Sequence, residues 1–115
     1  MSVKTKRNKP GVSFADASTF ARTLPDVTES TSYGTPALKV KGRLFARLKE
    51  DGETLVLVMD FVNRDLLLRD QPELFYLTDH YRNYPAILLR LAHVTIDRLE
   101  ELLEDARRFA LTKRG

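Results

Sequence analysis

Apolar and polar positions alternate with two different periods along this chain, and the places where the period changes mark its elements. Phe14, Ala17, Ala21 and Leu24 recur at the spacing of one helical face, with Phe20 beside the stripe. Ser13 is a suitable N-cap and Pro25 a stop, so a helix is predicted over Phe14–Leu24. Asp26–Ser32 is polar and reads as a loop. The period then drops to two. Leu38 and Val40 alternate with Lys39 and Lys41, and Leu44, Ala46 and Leu48 alternate with Arg43, Phe45, Arg47 and Lys49. In a hairpin, a one-residue slip would set apolar side chains of one strand beside basic ones of the other. An odd loop, three residues with Gly42 in a left-handed conformation, keeps Leu38, Val40, Leu44, Ala46 and Leu48 on one face. The other face would then carry Lys39, Lys41, Arg43, Phe45, Arg47 and Lys49.

Asp51-Gly52 marks a second tight turn, and Thr54–Met59 is a β-prone run expected to be covered on both faces. Asn63 or Asp65 would cap a short helix through Leu66, Leu67 and Leu68, interrupted by Pro72. Glu73–Leu77 fits either a helical turn or the approach to a strand. Thr78–Pro85 is a tyrosine-rich loop, and Ile87–Leu91 a further strand. Thr95 caps a last helix whose stripe is Leu99, Leu102, Leu103, Ala106 and Phe109 or Ala110, with acids early and Arg107 and Arg108 late, as the helix dipole favours. The order is helix, three-strand meander, helix, strand, helix. That predicts an α+β domain in which an antiparallel sheet packs against N-terminal, middle and C-terminal helices.

The 115 residues suit one domain, read as 12–115 behind a flexible basic arm, 1–11. No apolar run reaches membrane-helix length, and the basic N-terminus has no apolar stretch behind it, so neither a membrane partner nor a secretory signal is expected. With no cysteine, disulfides, thiolate metal sites and cysteine nucleophiles are excluded, and a cytoplasmic setting fits. Charge sharpens the picture. The net +3 divides into +4 over residues 1–10, +5 over residues 34–49 and −6 elsewhere. A polarised domain of this kind can steer an anion to one side, although lysines also blunt strand edges.

The run Ser32-Tyr-Gly-Thr-Pro-Ala-Leu-Lys-Val-Lys-Gly-Arg-Leu-Phe-Ala-Arg-Leu48 resembles the MmcQ/YjbR family. So does Phe75-Tyr-Leu-Thr-Asp-His-Tyr-Arg-Asn-Tyr-Pro85 followed by Ile87-Leu-Leu-Arg-Leu91. The similarity runs from about Ser13 to Ala110. It implies a compact α+β domain grouped with secretion-chaperone-like folds, and the label of a DNA-binding protein through likeness to a double-wing domain. Fold alone does not fix function.

Two sites are expected. The first is the hairpin face, with Lys39, Lys41, Arg43, Arg47 and Lys49 on phosphates and Phe45 as a stacking ring, a combination suited to nucleic acid and to DNA above all. The second is a recognition loop of His80, Tyr81, Arg82 and Tyr84, where rings would stack and Arg82 would hold an anion. The alternative function is a non-catalytic protein- or peptide-interaction domain. Asp79 and His80 are neighbours whose side chains diverge on extended backbone, so no catalytic residues, metal site or cofactor are expected. An activity at the Asp79–Pro85 loop is the remaining enzyme reading.

Overall fold

The computed structural model describes residues 9–112. Its elements are α1 (Phe14–Ala21), β1 (Val27–Ser32), β2 (Thr35–Val40), β3 (Arg43–Leu48), β4 (Thr54–Val58), α2 (Phe61–Asp70), β5 (Phe75–Tyr76), β6 (Ala86–Arg90) and α3 (Ile96–Thr112). A single 3-10 turn, Asp79–Tyr81, lies between β5 and β6. The six strands form one sheet in the order β1-β2-β3-β4-β6-β5, with every neighbouring pair antiparallel. The α+β class read from the sequence is therefore correct. The predicted arm falls mostly outside the described residues. Its described end is attached to the body, because Pro10 bridges Thr95 and the Gly11 N–H donates to Val94 O at 2.8 Å.

Three elements differ from the sequence reading. Asp26–Ser32 is not a loop, since Val27–Ser32 is the edge strand β1 paired along its whole length with β2. Backbone pairing forms it, so it needs no apolar stripe. The first helix ends at Ala21, three residues short of Leu24. The middle helix is longer than expected and begins earlier. Asp60 is its N-cap, and Asp60 Oδ1 accepts from the Asn63 N–H at 2.9 Å. Hydrogen bonds from the Asn63 backbone and side chain hold the Asp60 carboxyl below its ordinary pKa. A depressed pKa means the stabilisation is complete above the unfolded value and is lost as pH falls through the folded one. Asp60→Ala should cost about 1 kcal/mol at neutral pH. The loss should shrink on acidification, as urea midpoints at neutral and acid pH would show.

All three helices pack on one side of the sheet. There Leu38, Val40, Phe45, Ala46, Leu55, Leu57, Ile87 and Leu89 meet Ala17 and Ala21 of α1 and Leu99, Leu102, Leu103, Ala106 and Ala110 of α3. The α3 stripe is the one its periodicity predicts. Among the described residues no α-helix lies on the opposite side. Its apolar residues are Val56, Ala86 and Leu88, against which Tyr76, Leu77 and Tyr81 pack.

Candidate binding site on the open sheet face

The hairpin reaches only part of its expected face assignment, and by a different route: Leu38, Val40, Ala46 and Leu48 share a face, but Leu44 does not. Val40 pairs with Arg43, so the connecting turn has two residues, Lys41 and Gly42, at φ +50 and +78. Such a turn matches the strand twist, but alone it would break the apolar register. Parity is restored inside β3. Lys39 pairs with Leu44 and Leu38 with Ala46, which leaves Phe45 as the extra residue of a β-bulge. The odd residue lies in the strand and not in the loop.

This bulge divides the six predicted nucleic-acid residues between the two faces. Phe45 is fully buried in the helix-side core and is no surface stacking ring. Arg43 also belongs to the helix side. Its Nη1 donates to Ala110 O and Leu111 O, both at 3.1 Å, and so caps the C-terminal end of α3. Lys41 is exposed at the turn, 3.9 Å from the Asp26 carboxylate. Lys39 and Arg47 lie on the open face, through their pairing with Leu44 and Val56. Lys49 follows the strand beside Glu50 and Asp51, whose carboxyls are held low chiefly by backbone hydrogen bonds and in smaller part by the Lys49 charge. A single basic hairpin face therefore does not form.

The structure instead joins the hairpin to the tyrosine loop. Arg47 is only 5% exposed. Its Nη2 donates to the Tyr81 hydroxyl at 2.7 Å, and its Nη1 to Thr35 Oγ1 at 2.9 Å, Glu50 Oε2 at 3.3 Å and Leu48 O at 3.4 Å. Burial by itself would weaken the Arg47 charge. The Tyr81 hydrogen bond, together with the Glu50 carboxylate, outweighs it and raises the pKa, so the guanidinium stays ionised. Above it lies a cleft of about 410 Å³ lined by Tyr33, Leu44, Arg47, Glu50, Val56, Val58, His80, Tyr81, Tyr84, Pro85 and Ala86. The ring centroids of His80, Tyr81 and Tyr84 lie 4.8 to 6.2 Å apart.

Two features build the walls. Tyr33 and Gly34 form the two-residue β1–β2 turn, both at positive φ (+55 and +80). A tyrosine there costs about 1–2 kcal/mol relative to right-handed backbone. Its ring is 84% exposed and faces the Arg47 guanidinium carbon, 5.3 Å from the centroid. On the other side, Arg64 of α2 fastens the loop. It is 7% exposed, and its Nη1 donates to Arg82 O and Tyr84 O, both at 3.0 Å. The Phe61 ring covers it at 4.7 Å. Sequence reasoning missed Arg64, because a lone arginine on a helix without an apolar stripe carries no sign of burial.

Of the loop residues, His80, Tyr81 and Tyr84 line the cleft, whereas Arg82 turns outward to bond Asp79 Oδ1 at 2.5 Å. Asp79 thus orients an arginine and leaves His80 to its aromatic contacts. Further along the same face, Tyr76 bonds Thr54 Oγ1 at 2.7 Å and lies 4.4 Å beneath Arg90. All four tyrosines of the chain are on the open side. Among the described residues no group of three or more His, Asp or Glu could hold a metal ion.

The YjbR family model matches residues 22–109, which takes in the sheet, α2, most of α3 and the whole cleft. The chain belongs to the YjbR family. Uncharacterised proteins of Mycobacterium tuberculosis (Rv2570) and Mycobacterium bovis (Mb2600) are each 42% identical over 40 residues, 35% of this chain. The match spans 31% of each relative's length. The crystal structure of Deinococcus radiodurans protein DR2400, of family-model domain DUF419, superposes with a TM-score of 0.74 at 22% identity, covering 88% of this chain and 80% of that one. At that identity the likeness shows the YjbR fold alone. No helix among the described residues is long and apolar enough to cross a membrane.

Proposed function

We propose that this YjbR domain is a non-catalytic nucleic-acid-binding module of the cytoplasm whose contact surface is the open face of the sheet. The observation that supports it is the gathering of all four tyrosines on that face with Lys39, Arg47 and Arg90. A sheet face without an α-helix, bearing rings and cations side by side, suits a strand whose bases stack while its phosphates meet positive charge. Exposed rings can stack only on unpaired bases, so the preferred ligand is single-stranded. The DNA-binding role suggested by the double-wing likeness stays within this ligand class, with the contact surface moved from the hairpin to the sheet.

Tyr33 supports the same reading. Backbone strain at an exposed aromatic is the pattern of a residue kept for contact and not for stability. Tyr33→Asn relieves the left-handed strain and loses a cation–π contact worth about 0.5–1 kcal/mol. The expected result is unchanged or slightly higher stability with weaker binding. Anisotropy titration of labelled single-stranded and duplex oligonucleotides at two salt concentrations tests the function. The single strand should bind more tightly, more weakly at high salt, and several-fold more weakly to the Tyr33→Asn protein. Absence of binding at low salt contradicts the proposal.

A second reading, a peptide-interaction domain, draws on the apolar cleft lining of Leu44, Val56, Val58 and Ala86 and on the edge of β1, which pairs on one side only among the described residues. A peptide occupant would bind with little salt dependence, which separates the two readings in the same titration.

A further inference from the structure

Arg47 is a nearly buried cation with one carboxylate partner among the described residues. Its carboxylate partner is Glu50, at 3.3 Å and on a side chain 62% exposed to water. That distance is long for a charge-assisted bond, which is usually about 2.7–2.9 Å. A cation removed from water needs a counter-charge, and here that charge is one carboxylate at 3.3 Å on a largely water-exposed side chain, which a second anion can supplement or displace. The guanidinium also has donors to spare. Of its five N–H groups, Nη1 serves Thr35, Glu50 and Leu48 and Nη2 serves Tyr81, while Nε has no acceptor among the described residues. The Nε and Nη2 edge is the one that arginine offers to the paired oxygens of a phosphate.

The surroundings specify the rest of a ligand. The His80, Tyr81 and Tyr84 rings line the same cleft as Arg47, with Val56 and Ala86, and the Tyr81 hydroxyl accepts from Nη2. Rings above and a cation below suit a flat, partly apolar group carrying an anion. The cleft volume of about 410 Å³ is within the range of small-molecule pockets, roughly 300–1,000 Å³. A strand passing through could not bring an internal phosphate to a nearly buried guanidinium without drawing both of its neighbours into the cleft. A chain end or a free nucleotide meets no such obstacle.

We infer that the Arg47 cleft is a pocket for one phosphorylated nucleotide, with the phosphate on Arg47 and the base against Tyr84 and its neighbouring rings. The inference rests on the nucleic-acid reading and sharpens it to recognition of a phosphorylated end or a mononucleotide. Glu50 then competes with the phosphate for the same guanidinium.

Tyrosine fluorescence and calorimetric titration of the full chain test this with adenosine, adenosine monophosphate, inorganic phosphate, and single-stranded oligonucleotides with and without a terminal phosphate. Adenosine monophosphate should bind about tenfold or more tightly than adenosine, as expected for one charged hydrogen-bonding group, and more tightly than phosphate alone. A stronger mononucleotide than phosphorylated oligonucleotide assigns a free ligand, and the reverse assigns a strand end. Two exposed substitutions avoid disturbing the fold. Glu50→Gln should tighten phosphorylated ligands several-fold and leave adenosine unchanged, whereas Tyr84→Ala should weaken both. Equal binding of phosphorylated and unphosphorylated ligands, or indifference to Glu50→Gln, overturns the inference. If unphosphorylated oligonucleotides still bind in that case, the proposed function survives. If neither a mononucleotide nor any oligonucleotide binds, both fall.

Discussion

Phe45→Ala will destabilise the domain by about 3–5 kcal/mol, the cost of emptying a buried aromatic site. For a domain of this size that is a fall in melting temperature of roughly 10–25 °C. The ring is fully buried among the helix-side residues, although the residues on either side of it alternate as a surface strand would. Phe45 is the bulged residue that restores register between Leu38 and Ala46, so its ring also anchors the bulge to the helix-side core. Thermal melts of the variant and of Phe45→Leu check this. The leucine protein should keep the bulge and lose less. If Phe45→Ala melted at the parent temperature and failed only to bind, the ring would be a surface contact, as the hairpin alternation suggests.

Arg64→Met is the second large effect, and it separates site from scaffold. Methionine replaces much of the apolar stem but cannot donate to Arg82 O and Tyr84 O. A carbonyl left unsatisfied in a buried place costs about 1–3 kcal/mol. The loop can recover part of this by turning the carbonyls to water, so a net loss of about 1–3 kcal/mol is expected. The freed segment 79–85 would no longer hold Tyr81 against Arg47 or Tyr84 at the rim. Amide exchange should therefore quicken in residues 79–85 well before the sheet, and oligonucleotide binding should weaken although Arg64 itself does not line the cleft. Uniform exchange across the domain would mean that the arginine supports the core and not the loop.

How far the sequence could be read varied with the source of each element. The α3 stripe was legible because a long amphipathic helix writes its buried face at 3.6-residue spacing, and Leu99 through Ala110 are buried as that spacing requires. The alternation of β2 and β3 was legible too, but the faces were not. A single bulge at Phe45 shifts parity, and with it Arg43 passes to the helix side and Leu44 to the open side. β1 was missed since an edge strand of Thr, Glu and Ser is made by backbone pairing and not by apolar content. α2 was shortened because Phe61, Val62 and Leu66 are exposed and Arg64 is buried, the reverse of a normal stripe. In the site, the rings of the 79–85 loop were visible as composition. Their bond to Arg47 joins residues 34 positions apart, and no local pattern records it.

The most direct test of the account is an amide chemical-shift map of the domain titrated with a short single-stranded oligonucleotide. Shifts centred on Tyr33, Lys39, Arg47 and residues 80–84, with α1 and α3 silent, are the predicted result. Shifts centred on the Lys41–Arg43 turn and the end of α3, with the open face silent, would contradict it.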